Sequence, residues 1–230
     1  MAIWDQLSQA VQSVGAFGAD AFDRIRGASG SSEQSRQAAF SMAVVALAAK
    51  MAKADGVVTM SEAAVFWRRF DVPDDARRSI RRLFDLAQRD VAGFEAYAHK
   101  IARLFPTDDA LKEDILDILF TIAAADGVIH EAELDFLERV AAIFGLDKVR
   151  FNRVKAAHLE PEGDPYAVLG LPRDADYSAV RQRYRALVSE HHPDRLIARG
   201  VPEDFVRVAT DRLAAINTAY EAIMRTRRPS

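Results

Sequence analysis

Apolar residues recur at steps of three and four along almost the whole chain, and no stretch alternates with a period of two for long enough to make a strand. The pattern predicts an all-α protein. Ile3, Leu7, Val11 and Val14, continued less regularly by Phe17, Ala21, Phe22 and Ile25, predict one amphipathic helix over residues 1–27. Small and polar residues from Gly27 to Ser32 follow as a link. From Gln34 to Ala157 the spacing predicts a bundle of about seven helices. The first has Phe40, Val44, Leu47, Met51 and Ala54 as its stripe, and the second, from Ser61, carries Val65, Phe66 and Phe70. Pro73 breaks the chain, and Asp74 can cap a third helix that buries Ile80, Leu83, Phe84 and Ala87. The fourth, with Phe94, Ala98, Ile101 and Phe105, stops at Pro106. The fifth starts near Thr107 and buries Leu111, Ile115, Ile118, Leu119 and Ile122. Residues 131–144 and 147–157 supply the sixth and seventh. The expected organisation is therefore a leading helix and link at 1–32, a bundle at 33–158, a second link at 159–163 and a last module at 164–230.

Composition narrows the function classes. The 230 residues include 41 alanines against 11 glycines and 8 prolines, as a helical protein requires. A net charge of −3 argues against whole-chain attraction to nucleic acid or anionic lipid. With no cysteine there is no disulfide framework, thiolate zinc finger, Fe–S cluster or cysteine nucleophile, and no cofactor is called for. The longest apolar run, Met42–Ala49, is far short of the ~20 residues that span a bilayer. No secretory signal opens the chain, so the expected compartment is the cytoplasm. The 1–27 helix lacks a basic face, so docking on its own domain or on a second copy as a homodimer is favoured over peripheral membrane contact.

Ala54-Asp55-Gly56-Val57-Val58 recurs as Ala125-Asp126-Gly127-Val128-Ile129, 71 residues later, and Glu62 recurs at the same offset as Glu133. The bundle therefore reads as two related halves. Asp55, Glu62, Asp126 and Glu133 imitate the second half of a calcium loop. The ligand positions before them hold Met51 and Lys53 in one copy and Ile122 and Ala124 in the other, which excludes a site of that kind. Pooling the four carboxylates around another metal is the remaining alternative to their capping helices. Arg77, Arg78, Arg81 and Arg82 form a basic ridge without interleaved aromatics, which favours a solvated face or an intramolecular contact over nucleic acid. His99, His130 and His158 read as isolated, and no catalytic constellation is found.

The last module differs in charge: eleven arginines, no lysine and nine acids give +2 over residues 164–230, leaving 20 bases against 25 acids, −5, on residues 1–163. Asp164-Pro165 opens a short helix that Gly170 ends, and Asp176 caps a longer one with Val180, Tyr184, Leu187 and Val188 on its apolar face. Arg181, Arg183 and Arg185 lie on its other faces. His191-His192-Pro193-Asp194-Arg195 interrupts it, and a third helix from Pro202 buries Phe205, Val208, Ala209, Leu213, Ile216, Ala219, Tyr220 and Ile223.

Asp164-Pro-Tyr with Leu169-Gly, then Tyr184-Arg with Leu187, then His192-Pro193-Asp194, then Ile216-Asn217 with Ala219-Tyr220, resembles the J domain of DnaJ-type co-chaperones. The triplet alone is weak evidence; the ordered set is specific. The resemblance implies docking onto a DnaK-type chaperone ATPase and stimulation of its ATP hydrolysis. It also implies that Asp194 makes a charged contact while His192 and Pro193 hold the loop's shape. The arginines can steer the module to an acidic patch. Ala179 stands where the family often has an acid, a loss of ~0.5–1 kcal/mol of helix stability. No Gly/Phe-rich stretch follows and no cysteine zinc module exists, so client or location specificity falls to residues 1–157.

The paired Ala-Asp-Gly-Val turns resemble the TerB-like helical domain, and that domain followed by a J domain resembles the DjlA-type co-chaperones. Members usually carry a membrane-spanning N-terminus; none is read here, so anchoring is not carried over. Two readings follow. One is a non-enzymatic co-chaperone; the other is a metal- or stress-responsive sensor in which the J module is an accessory.

Overall fold

The computed structural model describes residues 33–54, 64, 65, 67, 72, 74–87, 93–159, 164–198 and 200–226. Among the described residues every regular element is a helix. The 1–27 helix, the 27–32 and 160–163 links, Asp55, Glu62, Phe66 and Phe70 lie outside them, as do the side chains of Leu83, Val208 and Ala209.

Helix α1 (Glu33–Met51) carries the longest apolar run. A helix with no polar face has nowhere to go but the centre. Every residue from Ala38 to Ala52 is buried, not the single stripe that the spacing predicts. Helices α2 (Asp74–Ala87), α3 (Phe94–Leu104) and α4 (Asp109–Ala123) surround it. α2 buries Ala76, Ile80, Phe84 and Ala87 and turns Arg77, Arg78, Arg81 and Arg82 outward. Arg77 pairs with Asp74 at 3.1 Å, and the Arg81 guanidinium lies 5.8 Å from the Trp67 ring centroid, so half of that ridge serves its own bundle. Phe105 closes α3, and Asp108 caps α4 by accepting the Leu111 amide at 3.2 Å. After a 3₁₀ turn, Ala124–Asp126, Gly127 adopts the left-handed φ of 93° that lets the chain reverse into α5 (Glu131–Phe144). α6 (Lys148–Leu159) completes the bundle and runs one turn's edge further than the spacing predicts, into the expected second link.

The C-terminal module follows: α7 (Pro165–Leu169), α8 (Tyr177–Glu190), α9 (Pro193–Ala198) and α10 (Glu203–Thr226). Asp164 and Asp176 cap α7 and α8, accepting the amides of Tyr166 and Ala179 at 3.0 and 2.7 Å, as the sequence predicts. α9 is not foreseen. Pro193 ends α8, but its fixed φ also suits the first turn of a new helix.

α8 and α10 lie antiparallel. Tyr184 stacks on Tyr220 with centroids 4.0 Å apart and donates its hydroxyl to Asn217 at 3.0 Å. Val168, Leu169, Val180, Leu187, Ile216, Ala219 and Ile223 fill the core between α7, α8 and the C-terminal half of α10. The N-terminal half of α10 belongs elsewhere. Leu196, Val201, Phe205 and Val206 are part of the bundle's core, and Phe205 meets Phe40 of α1 edge-on at 5.4 Å. One helix is thus shared between two cores.

Candidate partner-docking site

The hairpin of α8 and α10 carries the His192-Pro193-Asp194 loop at the end of α8. The His191 amide closes α8 by donating to the Leu187 carbonyl at 2.9 Å, and α9 starts at Pro193. Between them the tip is open to solvent: the His192 side chain is 48% exposed and that of Asp194 84%. His192 Nδ1 accepts the Asp194 amide at 3.2 Å and lies 3.6 Å from Asp194 Oδ2, so the imidazole fixes the turn's shape while the carboxylate stays open to solvent. Arg195 braces the turn from the far side, donating to the Ser189 carbonyl at 2.8 Å. A shallow groove of about 370 Å³ runs beside the tip, lined by Tyr184, Arg185, Val188, Ser189, His192 and Arg195.

The three arginines of α8 divide. Arg181 and Arg185 face solvent, Arg181 with its guanidinium 5.5 Å from the Tyr177 ring centroid. Arg183 turns inward: its Nε donates to the Leu169 carbonyl at 3.2 Å and its Nη1 lies 3.8 Å from Glu190. It ties α8 to the end of α7. Arg195, exposed and beside the tip, takes its place on the basic face.

Under the tip lies a buried set of charges that the sequence analysis does not single out. Lys112, Glu113, Asp114 and Asp117 are all buried. Glu113 accepts hydrogen bonds from Arg150 on one oxygen and from Arg153 on the other. Asp117 faces His158 at 3.0 Å and Arg212 of α10 at 3.4 Å. His158, expected to be isolated, also stacks on Phe120 with centroids 5.5 Å apart. Asp114 Oδ1 shares a hydrogen bond of 2.7 Å with Nδ1 of His191, the residue just before the tip. Burial pushes the Asp114 carboxyl above the usual carboxylate range, and the opposing pulls of His191 and Arg212 do not cancel it.

The repeat carboxylates serve helix ends where they are described. Asp126 accepts the Val128 amide at 3.0 Å, and buried Glu133 accepts the His130 amide at 2.7 Å in a capping box. Among the described residues, no group of three or more histidine or acidic side chains is arranged to hold a metal ion. No helix of the described residues is long and apolar enough to cross a membrane.

Comparison with known proteins agrees with both halves. The family "Tellurite resistance protein TerB" matches residues 41–156, and the "DnaJ domain" matches residues 164–228. The chain is 30% identical over 198 residues to Co-chaperone protein DjlA of Coxiella burnetii, spanning 77% of this chain and 73% of that protein. It is 27% identical over 220 residues to the protein of the same name from Aliivibrio fischeri, spanning 81% and 78%. The Vibrio parahaemolyticus protein of that name is 27% identical over 221 residues, spanning 82% and 78%. No solved structure matches significantly. The order read from the sequence, a TerB-like domain and then a J domain, is the order these matches give, and the chain belongs to the DjlA co-chaperone family.

Proposed function

We propose that the chain is a J-domain co-chaperone that docks on a DnaK-type chaperone ATPase and stimulates its ATP hydrolysis, the TerB bundle choosing the client or the place. The observation that carries this reading is the open tip: an exposed Asp194 carboxylate, a turn held by His192, and Arg181 and Arg185 on the helix leading to it. The arginines raise the rate of encounter with an acidic surface; Asp194 then supplies a charge at a fixed place. The chain itself holds no catalytic residue in this scheme, because the bond that breaks belongs to the partner's nucleotide.

Steady-state ATP turnover of a purified DnaK-type chaperone, measured with and without the full chain, tests the proposal. Turnover should rise with the chain, and His192→Gln should remove the rise while leaving the helical circular dichroism intact. Stimulation that survives His192→Gln would overturn the assignment of the loop.

A further inference from the structure

The tip is exposed, yet both of its ends are anchored in the bundle. On one side His191, with no exposed surface, lies against α4, its Nδ1 bonded to Asp114 at 2.7 Å and its Nε2 3.8 Å from Glu113. On the other side Leu196 and Val201 are buried in the bundle's core. Arg212 of α10 is pinned to Asp117, one turn along α4 from Asp114. None of these contacts belongs to the hairpin's own core, which is complete with Val180, Leu187, Ile216 and their neighbours. A hairpin alone would fix the tip at α8; here α4 of the other domain fixes it as well.

We propose that Asp114 is a positioning residue for co-chaperone action: through His191, the TerB bundle holds the His192-Pro193-Asp194 tip in the one presentation that the chaperone ATPase reads. The inference rests on the docking role proposed above. Its physical content is a population. If the loop samples several orientations when the anchor is cut, only a fraction of molecules is competent, and apparent affinity falls by that fraction while the saturated complex is unchanged.

The test is a titration of the full chain into the ATPase assay. Asp114→Ala should raise the half-maximal concentration about tenfold and leave maximal turnover unaltered, whereas Asp114→Asn, which keeps an oxygen acceptor for His191, should stay within about twofold of wild type. Circular dichroism at the assay temperature separates this split from simple loss of folded protein. Should Asp114→Ala fail to fold, native-state hydrogen exchange on the unaltered chain decides: the α9 amides should exchange through the same opening as those of α4. Independent, easy opening of α9 would overturn the inference. So would a folded Asp114→Ala chain with wild-type half-maximal concentration. If the wild-type chain gives no stimulation at all, the docking role itself falls; if it stimulates and His192→Gln does not, a normal Asp114→Ala chain removes the inference alone.

Discussion

Phe205→Ala probes whether the two domains are one folding unit. Phe205 is 3% exposed, and its ring meets Phe40 of the central helix edge-on, 5.4 Å between centroids. Truncating a buried phenylalanine costs about 3–5 kcal/mol, through lost transfer energy and the cavity left behind. The edge-on pair accounts for roughly 0.5–1.5 kcal/mol of that. For a chain of this size the loss corresponds to a fall in melting temperature of roughly 6–20 °C. Urea unfolding should follow two probes, Trp67 fluorescence in a Trp4→Phe background and the near-ultraviolet signal of the stacked Tyr184–Tyr220 pair. Trp67 packs on Phe84 in the bundle, and once bundle-buried Tyr97 is replaced by phenylalanine the tyrosine component comes from the C-terminal module alone, so each probe reports one domain. Shared burial of Phe205 requires both midpoints to fall together. A Trp67 midpoint left in place while the tyrosine midpoint drops would refute the shared core and show two domains that merely touch.

Three further predictions concern charge. Arg181→Ala with Arg185→Ala should weaken stimulation mainly at low salt and leave stability unchanged, since both face solvent, whereas Arg183→Met should cost about 1 kcal/mol of stability by freeing the Leu169 carbonyl; ATPase titrations at two ionic strengths and thermal melts check both. The raised Asp114 pKa gives a pH signature, with His191, Arg212 and Asp117 as its charged neighbours. A carboxyl that protonates more readily folded than unfolded stabilises the fold fully below its unfolded pKa, and that stabilisation is lost as pH rises through the folded value. Wild-type stability relative to Asp114→Asn should therefore grow as pH falls from neutral, measured by urea midpoints across a pH series; a margin that shrinks on acidification would contradict the assigned direction.

What could be read from the sequence was what local chemistry decides. Asp164 with Pro165 and Gly170, Asp176 before α8, and the bounds of α5 follow from caps, prolines and spacing within a few residues of each other. The break after α8 was legible because a proline cannot continue a helix, and its role as a tip came only from the resemblance to the J domain. The buried charges were not. Glu113, Asp114 and Asp117 share α4 with its apolar stripe and look like a solvated face, since their partners Arg150, Arg153, His158, His191 and Arg212 lie 37 to 95 residues away. The same distance hid His158, which only the fold brings to Phe120. α9 was missed for a different reason: proline stops one helix and starts the next with equal ease, and only Leu196, buried in the neighbouring domain, shows which.

The two kinds of contact between the domains do different work. Leu196, Val201, Phe205 and Val206 hold the J domain to the bundle by buried apolar area, which is nearly indifferent to a small rotation or slide. Buried charge is not indifferent. Slipping α10 by one residue turns it by about 100° and carries Arg212, fully buried, away from Asp117. An unpaired buried guanidinium costs several kcal/mol, whereas the paired arrangement adds little net stability over an apolar one. The charges therefore select a register more than they add strength. Register is what the proposed docking role would require: affinity for the bundle could come from any greasy surface, but a carboxylate that is to meet a partner at a fixed angle needs its supporting helix locked in rotation, and Asp114, Asp117 and Arg212 are the groups placed to lock it.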